Sequence, residues 1–335
     1  MNQSIVLALL GALALAPNGC GNSSASEGGK TSTGGSSNNP GSSLNFSFFV
    51  TSQARLLALA QAFNGSPKGF GGDLRYGETG PGAGLRGADK ICTAIAEASA
   101  PGNGKTWRAF LSATDGGNGN AINAIDRIGS GPWYDRVGRL LANNTAELLN
   151  TRPTNANTSI INDLPNEDGV PNHDALQTGN TTNQDNHDIL TGTNAQGALY
   201  SQTATCGDWT SSVGNASQKP HCGHSWPAAG GGTGVPVGLD AGMGVPFGFD
   251  AGMGVPFGFD AGMGVPLGFD AGISGMTGDS TSNWMSALDE AGCAPGYNLA
   301  DVNPNGQPST PGGDGTLTVG SGGGYGGIYC FAFSQ

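Results

Sequence analysis

His221-Cys222-Gly223-His224 packs three possible zinc or copper ligands into four residues. A metal site needs three or four such ligands in suitable geometry, plus groups that orient them. His173 and His187 are the other two histidines, and both fall in a polar, acidic stretch. The tetrapeptide therefore reads as an exposed loop that holds an unpaired thiol. Asp163, Glu167, Asp168, Asp174, Asp185 and Asp188 offer hard oxygen donors of the kind calcium takes. No EF-hand order fits them, because Pro165 stands where Asp or Asn is needed after Asp163. Their ordinary reading is a solvated loop, with bound calcium as the sharper one.

Two glycine motifs look like phosphate cradles and lack the right surroundings. Gly82-Ala83-Gly84-Leu85-Arg86-Gly87 satisfies G-x-G-x-x-G, but a Gly/Pro-rich loop precedes it where a strand is required. Gly104-Lys105-Thr106 ends like a P-loop, yet Ser99 occupies the first glycine position. Nucleotide binding is not expected. There is no G-x-S-x-G and no H-E-x-x-H, and no convincing Ser/His/Asp set stands out. Carboxylate pairs for glycoside hydrolysis are defined in space and leave no mark in sequence. The chain reads as a non-enzyme, with a hydrolase of unrecognised site as the last alternative.

These groups need a scaffold, and composition bounds it. The chain has 335 residues, 61 of them glycine and 19 proline, and 11% are charged. That excludes a coiled coil or helical bundle and allows one loop-rich domain. Residues 1–139 carry net +3 and the remainder −15, giving −12 overall. Nucleic-acid binding is excluded, since it needs clustered Lys and Arg to release counterions.

Ile5–Ala16 is an apolar run of 12 residues, too short to span a bilayer and right for a signal-peptide core. Gly19-Cys20-Gly21 then resembles a bacterial lipoprotein processing site, although Pro17 replaces the usual Leu and no Lys or Arg precedes the run. We expect a signal peptide over 1–19 and acylation of Cys20, which would anchor the protein in the membrane. Residues 20–43 form a Ser/Gly-rich tether and 44–335 the domain. Export puts the remaining Cys92, Cys206, Cys222, Cys293 and Cys330 in an oxidising compartment. Five is odd, so one thiol stays unpaired, and spacing alone does not choose the pairs.

Phe46–Val50, Thr106–Ala113, Ile189–Thr193, Cys206–Thr210 and Ile328–Phe333 read as short strands. Thr51–Phe63 and Gly87–Ala98 have helical apolar spacing, and 150–188 reads as a long acidic loop. Residues 234–273 are four tandem decapeptides of the form GVPFGFDAGM. They do not match the calcium-binding nonapeptide, and we read them as an insert into the domain.

The ordered pieces FFVTS (48–52), LRGADKIC (85–92), WRAFLSA (107–113), IDRI (125–128), GPWYD (131–135), LTGT (190–193), CGDW (206–209) and IYCF (328–331) carry a resemblance. Together they are similar to an uncharacterised domain of bacterial lipoproteins with an endostatin-like, more distantly C-type-lectin-like, fold. The resemblance implies a single α+β domain with nested disulfides, Cys92–Cys330 and Cys206–Cys293, leaving Cys222 as the free thiol. It also implies that Trp107, Trp133 and Trp209 belong to the core. The sugar-binding tripeptides of C-type lectins, Glu-Pro-Asn and Gln-Pro-Asp, are absent. The expected function is non-catalytic binding of a protein or glycan ligand at the bacterial cell envelope, on the outer membrane or cell surface. The alternative is a structural envelope protein that self-associates through the repeats.

Overall fold

Nine residues near the C-terminus, Gly324–Ala332, form the longest strand and organise the sheet. The computed structural model describes residues 45–173, 186–226, 283–299 and 317–333. Cys20, the tether, Asp174, Asp185 and the decapeptides lie outside them. In chain order the described elements are β1 (Phe48–Val50), α1 (Gln53–Asn64), α2 (Ala83–Ser99), β2 (Trp107–Ala109), β3 (Trp133–Tyr134), β4 (Leu140–Ala142), α3 (Thr145–Leu148), β5 (Asp188–Leu190), β6 (His221–His224), β7 (Leu288–Asp289) and β8 (Gly324–Ala332). This is a mixed α/β architecture with few helices.

β8 serves three neighbours. Phe331 pairs antiparallel with Phe48 of β1 and with Arg108 of β2, so those strands flank its second half. β5 runs parallel to its first half, and β6 and β7 extend the sheet beyond β5. β3 and β4 make a separate two-stranded sheet.

Local sequence explains the helices. Ser52 caps α1 by accepting from the Arg55 N–H, and Gly65 closes it in a left-handed conformation. α2 buries Leu85, Ile91, Cys92 and Ile95 on one face. A Cβ at Gly84 or Gly87 would lie 2.1 Å from the backbone oxygens of Asp208 or Leu74. The G-x-G-x-x-G motif therefore lets a helix press against neighbouring backbone, and its glycines are spent on packing.

Apolar packing is dense around β8. Trp107 sits 4.9 Å from Phe46 and 5.1 Å from Phe49 between ring centroids, and Trp133 meets Phe331 edge-on at 5.5 Å. Trp107, Trp133 and Trp209 are all buried. Disulfides join Cys92 to Cys330 and Cys206 to Cys293, and Cys222 is the free thiol.

Three expectations need correction. Cys206–Thr210 is not a strand. Cys206, Gly207, Asp208 and Trp209 form one turn with left-handed φ of 50°, 62°, 56° and 63°. Such backbone costs an L-residue about 1–2 kcal/mol, and tertiary bonds hold it. The Asp208 carboxylate accepts from Thr114 N at 2.6 Å, Thr114 Oγ1 at 2.6 Å and Asp115 N at 3.0 Å. Trp209 Nε1 donates to the Ser112 carbonyl, and Cys206 is tied by its disulfide.

His221–His224 is not an exposed loop. It is β6, paired on both sides and buried throughout, because β5 and β7 cover its two edges. Glu167 and Asp188 are not solvated either. Both side chains have no exposed surface, since Asp188 opens β5 and Glu167 turns inward onto α1.

Candidate functional site

Three regions place polar side chains where they can act. The first is a cavity of about 360 Å³ where the start of α1 meets the turn at 166–170. Asn166 builds that turn, its side-chain oxygen accepting from the Asp168 and Val170 N–H groups at 3.0 Å each. The turn swings Glu167 inward, where Ser52 donates to it twice, from N at 2.9 Å and from Oγ at 2.6 Å. Burial raises the Glu167 pKa above its ordinary value, against the lowering effect of both Ser52 bonds. The Arg55 guanidinium lies 3.8 Å from Glu167 and 3.9 Å from the half-exposed Asp168. With Gln53, Asn172 and Asn186, the lining combines amides, carboxylates and one cation. Such groups can donate and accept hydrogen bonds.

The second region is buried. Asp188 and His224 are direct partners across the β5–β6 ladder, and His187 precedes Asp188. His224 Nε2 stands 3.1 Å and His187 Nε2 3.3 Å from Asp188 Oδ1. Burial alone would raise the Asp188 pKa, but the two imidazoles beside it outweigh burial and lower it. Burial lowers the His224 pKa, which favours the neutral ring. Glu290 stands behind Asp188, bonded by Ser321 Oγ at 2.6 Å and Gly322 N at 2.7 Å. Its pKa is raised well above its ordinary value by burial and then by the Asp188 charge.

His221, two residues from Gly223, serves a different surface. Its Nδ1 lies 2.5 Å from Asp289 Oδ1 and its Nε2 2.9 Å from Ser286 Oγ. Tyr200 stacks on the ring at 3.7 Å and 5°. This is the hydrogen-bond order of a Ser–His–Asp triad. The neighbouring backbone donors are already used, with Ser286 N bonded to Asn283 Oδ1 and Ala287 N to the Cys222 carbonyl. They offer no oxyanion site.

The sequence candidates are thus split. His221, Cys222 and His224 do not share one ion: His221 takes Asp289 and Ser286, while His224 turns to Asp188. Buried among carboxylates, the Cys222 thiol is pushed well above its ordinary pKa, first by burial and then by Glu290 and Asp188. Asp163 accepts from His173 N at 3.1 Å, and Asp168 faces the cavity. Among the described residues, only His187, Asp188 and His224 bring three metal-type ligand atoms within 4.8 Å of one another. Glu290 escaped the sequence reading; an acid beside the strand pattern Leu288-Asp289 carries no local mark of its role. No protein-family model matches the chain, and no curated protein matches it.

Proposed function

We propose that the chain is an exported lipoprotein, anchored at the bacterial cell envelope through Cys20, whose endostatin/C-type-lectin-like domain binds a ligand without transforming it. Two disulfides fit an oxidising compartment. Among the described residues no helix is long and apolar enough to cross a membrane. The observation that carries the binding role is the cavity beside α1, with its amide and carboxylate lining on a disulfide-tied scaffold. Its volume falls in the range of small-ligand pockets. Of a protein and a glycan, that lining favours the glycan.

The test is a glycan array probed with the detergent-purified full chain, with calcium and with chelator. We expect signal that falls at least about 10-fold in Arg55→Ala and Asp168→Asn, as for loss of a charged hydrogen bond. Signal unmoved by both changes would remove the cavity from the reading, and a blank array would remove the glycan. Cys20→Ser is expected to release the protein from membranes.

A second reading, a hydrolase, is favoured by the bonds that His221 makes to Ser286 and Asp289. Turnover of an activated ester that vanishes in Ser286→Ala would establish it.

A further inference from the structure

The His187–Asp188–His224 cluster plays no part in the ligand cavity, and its burial has no purpose in a binding surface. We propose that His187, Asp188 and His224 hold one divalent transition-metal ion of the zinc class, with Glu290 orienting Asp188 from behind.

Geometry is the first support. Around a tetrahedral ion with bonds of about 2.0–2.1 Å, neighbouring ligand atoms stand about 3.3–3.4 Å apart. The two imidazole Nε2 atoms lie 3.1 and 3.3 Å from Asp188 Oδ1, and all three ligand atoms fall within 4.8 Å of one another. Three atoms that converge at that spacing outline a coordination polyhedron.

Unsatisfied valence is the second support. Both Asp188 oxygens and both His224 ring nitrogens are buried with no hydrogen-bond partner. The Nε2–Oδ1 approaches are close, but they are not directed as hydrogen bonds. A buried carboxylate without a directed donor is poorly solvated. One cation at the meeting point would engage Asp188 Oδ1 and His224 Nε2 together.

Donor chemistry is the third. Two imidazoles and one carboxylate suit zinc and its first-row neighbours, whereas calcium takes six to eight oxygens. Glu290 matches the carboxyl group commonly found behind such ligands. Ser321 and Gly322 fix it from one side. Arg152 donates to the His224 carbonyl at 2.7 Å and holds that strand end in place. The ion would staple β5 to β6, and three protein ligands leave a fourth position free.

The experiment is metal titration of the full chain after dialysis against chelator, read by elemental analysis and by the visible spectrum of the cobalt form. We expect one zinc or cobalt per chain, with cobalt showing the intense visible bands of a four-coordinate ion. His224→Gln and Asp188→Asn should each weaken binding at least about 100-fold, and Glu290→Gln about 10-fold. His221→Gln, altered on the same strand but bonded elsewhere, should bind as the wild type does. Circular dichroism and disulfide mapping check that each variant folds. Should the ligand variants misfold, the wild-type titration and the Glu290 and His221 variants still decide. No stoichiometric metal on the wild type would overturn the proposal. So would loss of the metal in His221→Gln with retention in His224→Gln.

Discussion

On the β1–β2 side of β8, Phe48, Phe110, Trp133 and Trp284 ring Phe331, and the buried Asp89 and Arg127 pair with each other and bond to β2. On the β5–β6 side the same sheet buries Asp188, His187, His224 and Glu290. Of nine buried side-chain atoms without a hydrogen-bond partner among the described residues, seven belong to Asp188, His224, Glu290 and Arg152. The aromatic side explains why the chain folds. The polar side makes folding harder, since well-packed apolar residues there would often be more stable. Groups that a fold holds against its own stability are where function is to be sought.

The comparison can be broken at its strongest point by removing the Cys92–Cys330 crosslink, which joins residues 238 apart. Cys92→Ser with Cys330→Ser should cost up to about 5 kcal/mol on the chain-entropy account, read by denaturant unfolding. An unchanged midpoint would show that the aromatic packing suffices without it. Phe331→Ala should cost about 3–5 kcal/mol by the same measurement, because four aromatic rings lose their common partner. A loss under about 1 kcal/mol would mean that the aromatic side does not carry the stability assigned to it.

Asp208→Ala should cost about 2–3 kcal/mol, as it removes the acceptor of three bonds that hold the left-handed turn. Retained stability together with retained near-ultraviolet dichroism would show that the Cys206 disulfide holds the turn alone. Asp188→Asn, measured in chelator, should stay within about 1 kcal/mol of the wild type, since the lost attraction to the two imidazoles is offset by removal of a buried charge. Zinc should then raise the melting temperature of the wild type and leave this variant where it was. A large loss in chelator would place Asp188 among the structural groups.

The smallest effect is a pH dependence at Glu167. Its raised pKa means that the folded chain binds that proton more tightly than the unfolded one. The stability so contributed is complete below the ordinary value of 4.5 and is lost as pH climbs through the raised value. Melting temperatures across about pH 4 to 7 should fall more steeply for the wild type than for Glu167→Gln. Parallel curves would show that Glu167 titrates alike in both states.

Periodicity in the sequence marked both long helices and four of the strands, because Leu56, Ile91, Phe48 and Ile328 repeat at the spacing their elements require. It misread Cys206–Thr210, whose left-handed backbone is held by Thr114, Asp115 and Cys293, all distant in sequence. The candidate metal ligands were visible singly. His224 stood in a tetrapeptide, Asp188 in an acidic list and His187 beside it. Only the β5–β6 pairing joins residues 36 apart, Asp188 to His224, and separates His224 from its neighbour His221. Glu290 joins them because β7 extends the sheet, a pairing that local pattern does not encode.

The order of the strands along the chain has a further consequence. β1 and β2 depend on β8 for their ladder, β5 shares itself between β6 and β8, and β8 follows all of them in sequence. A ribosome releases the earlier strands first, so throughout most of synthesis the sheet lacks its middle. Until that segment arrives the edges of β1 and β2 lack their partner, and then both close at once. Translocation channels that pass only unfolded polypeptide would meet such a chain in the state they accept. Ladder contacts between residues so far apart in sequence are the kind that slow folding.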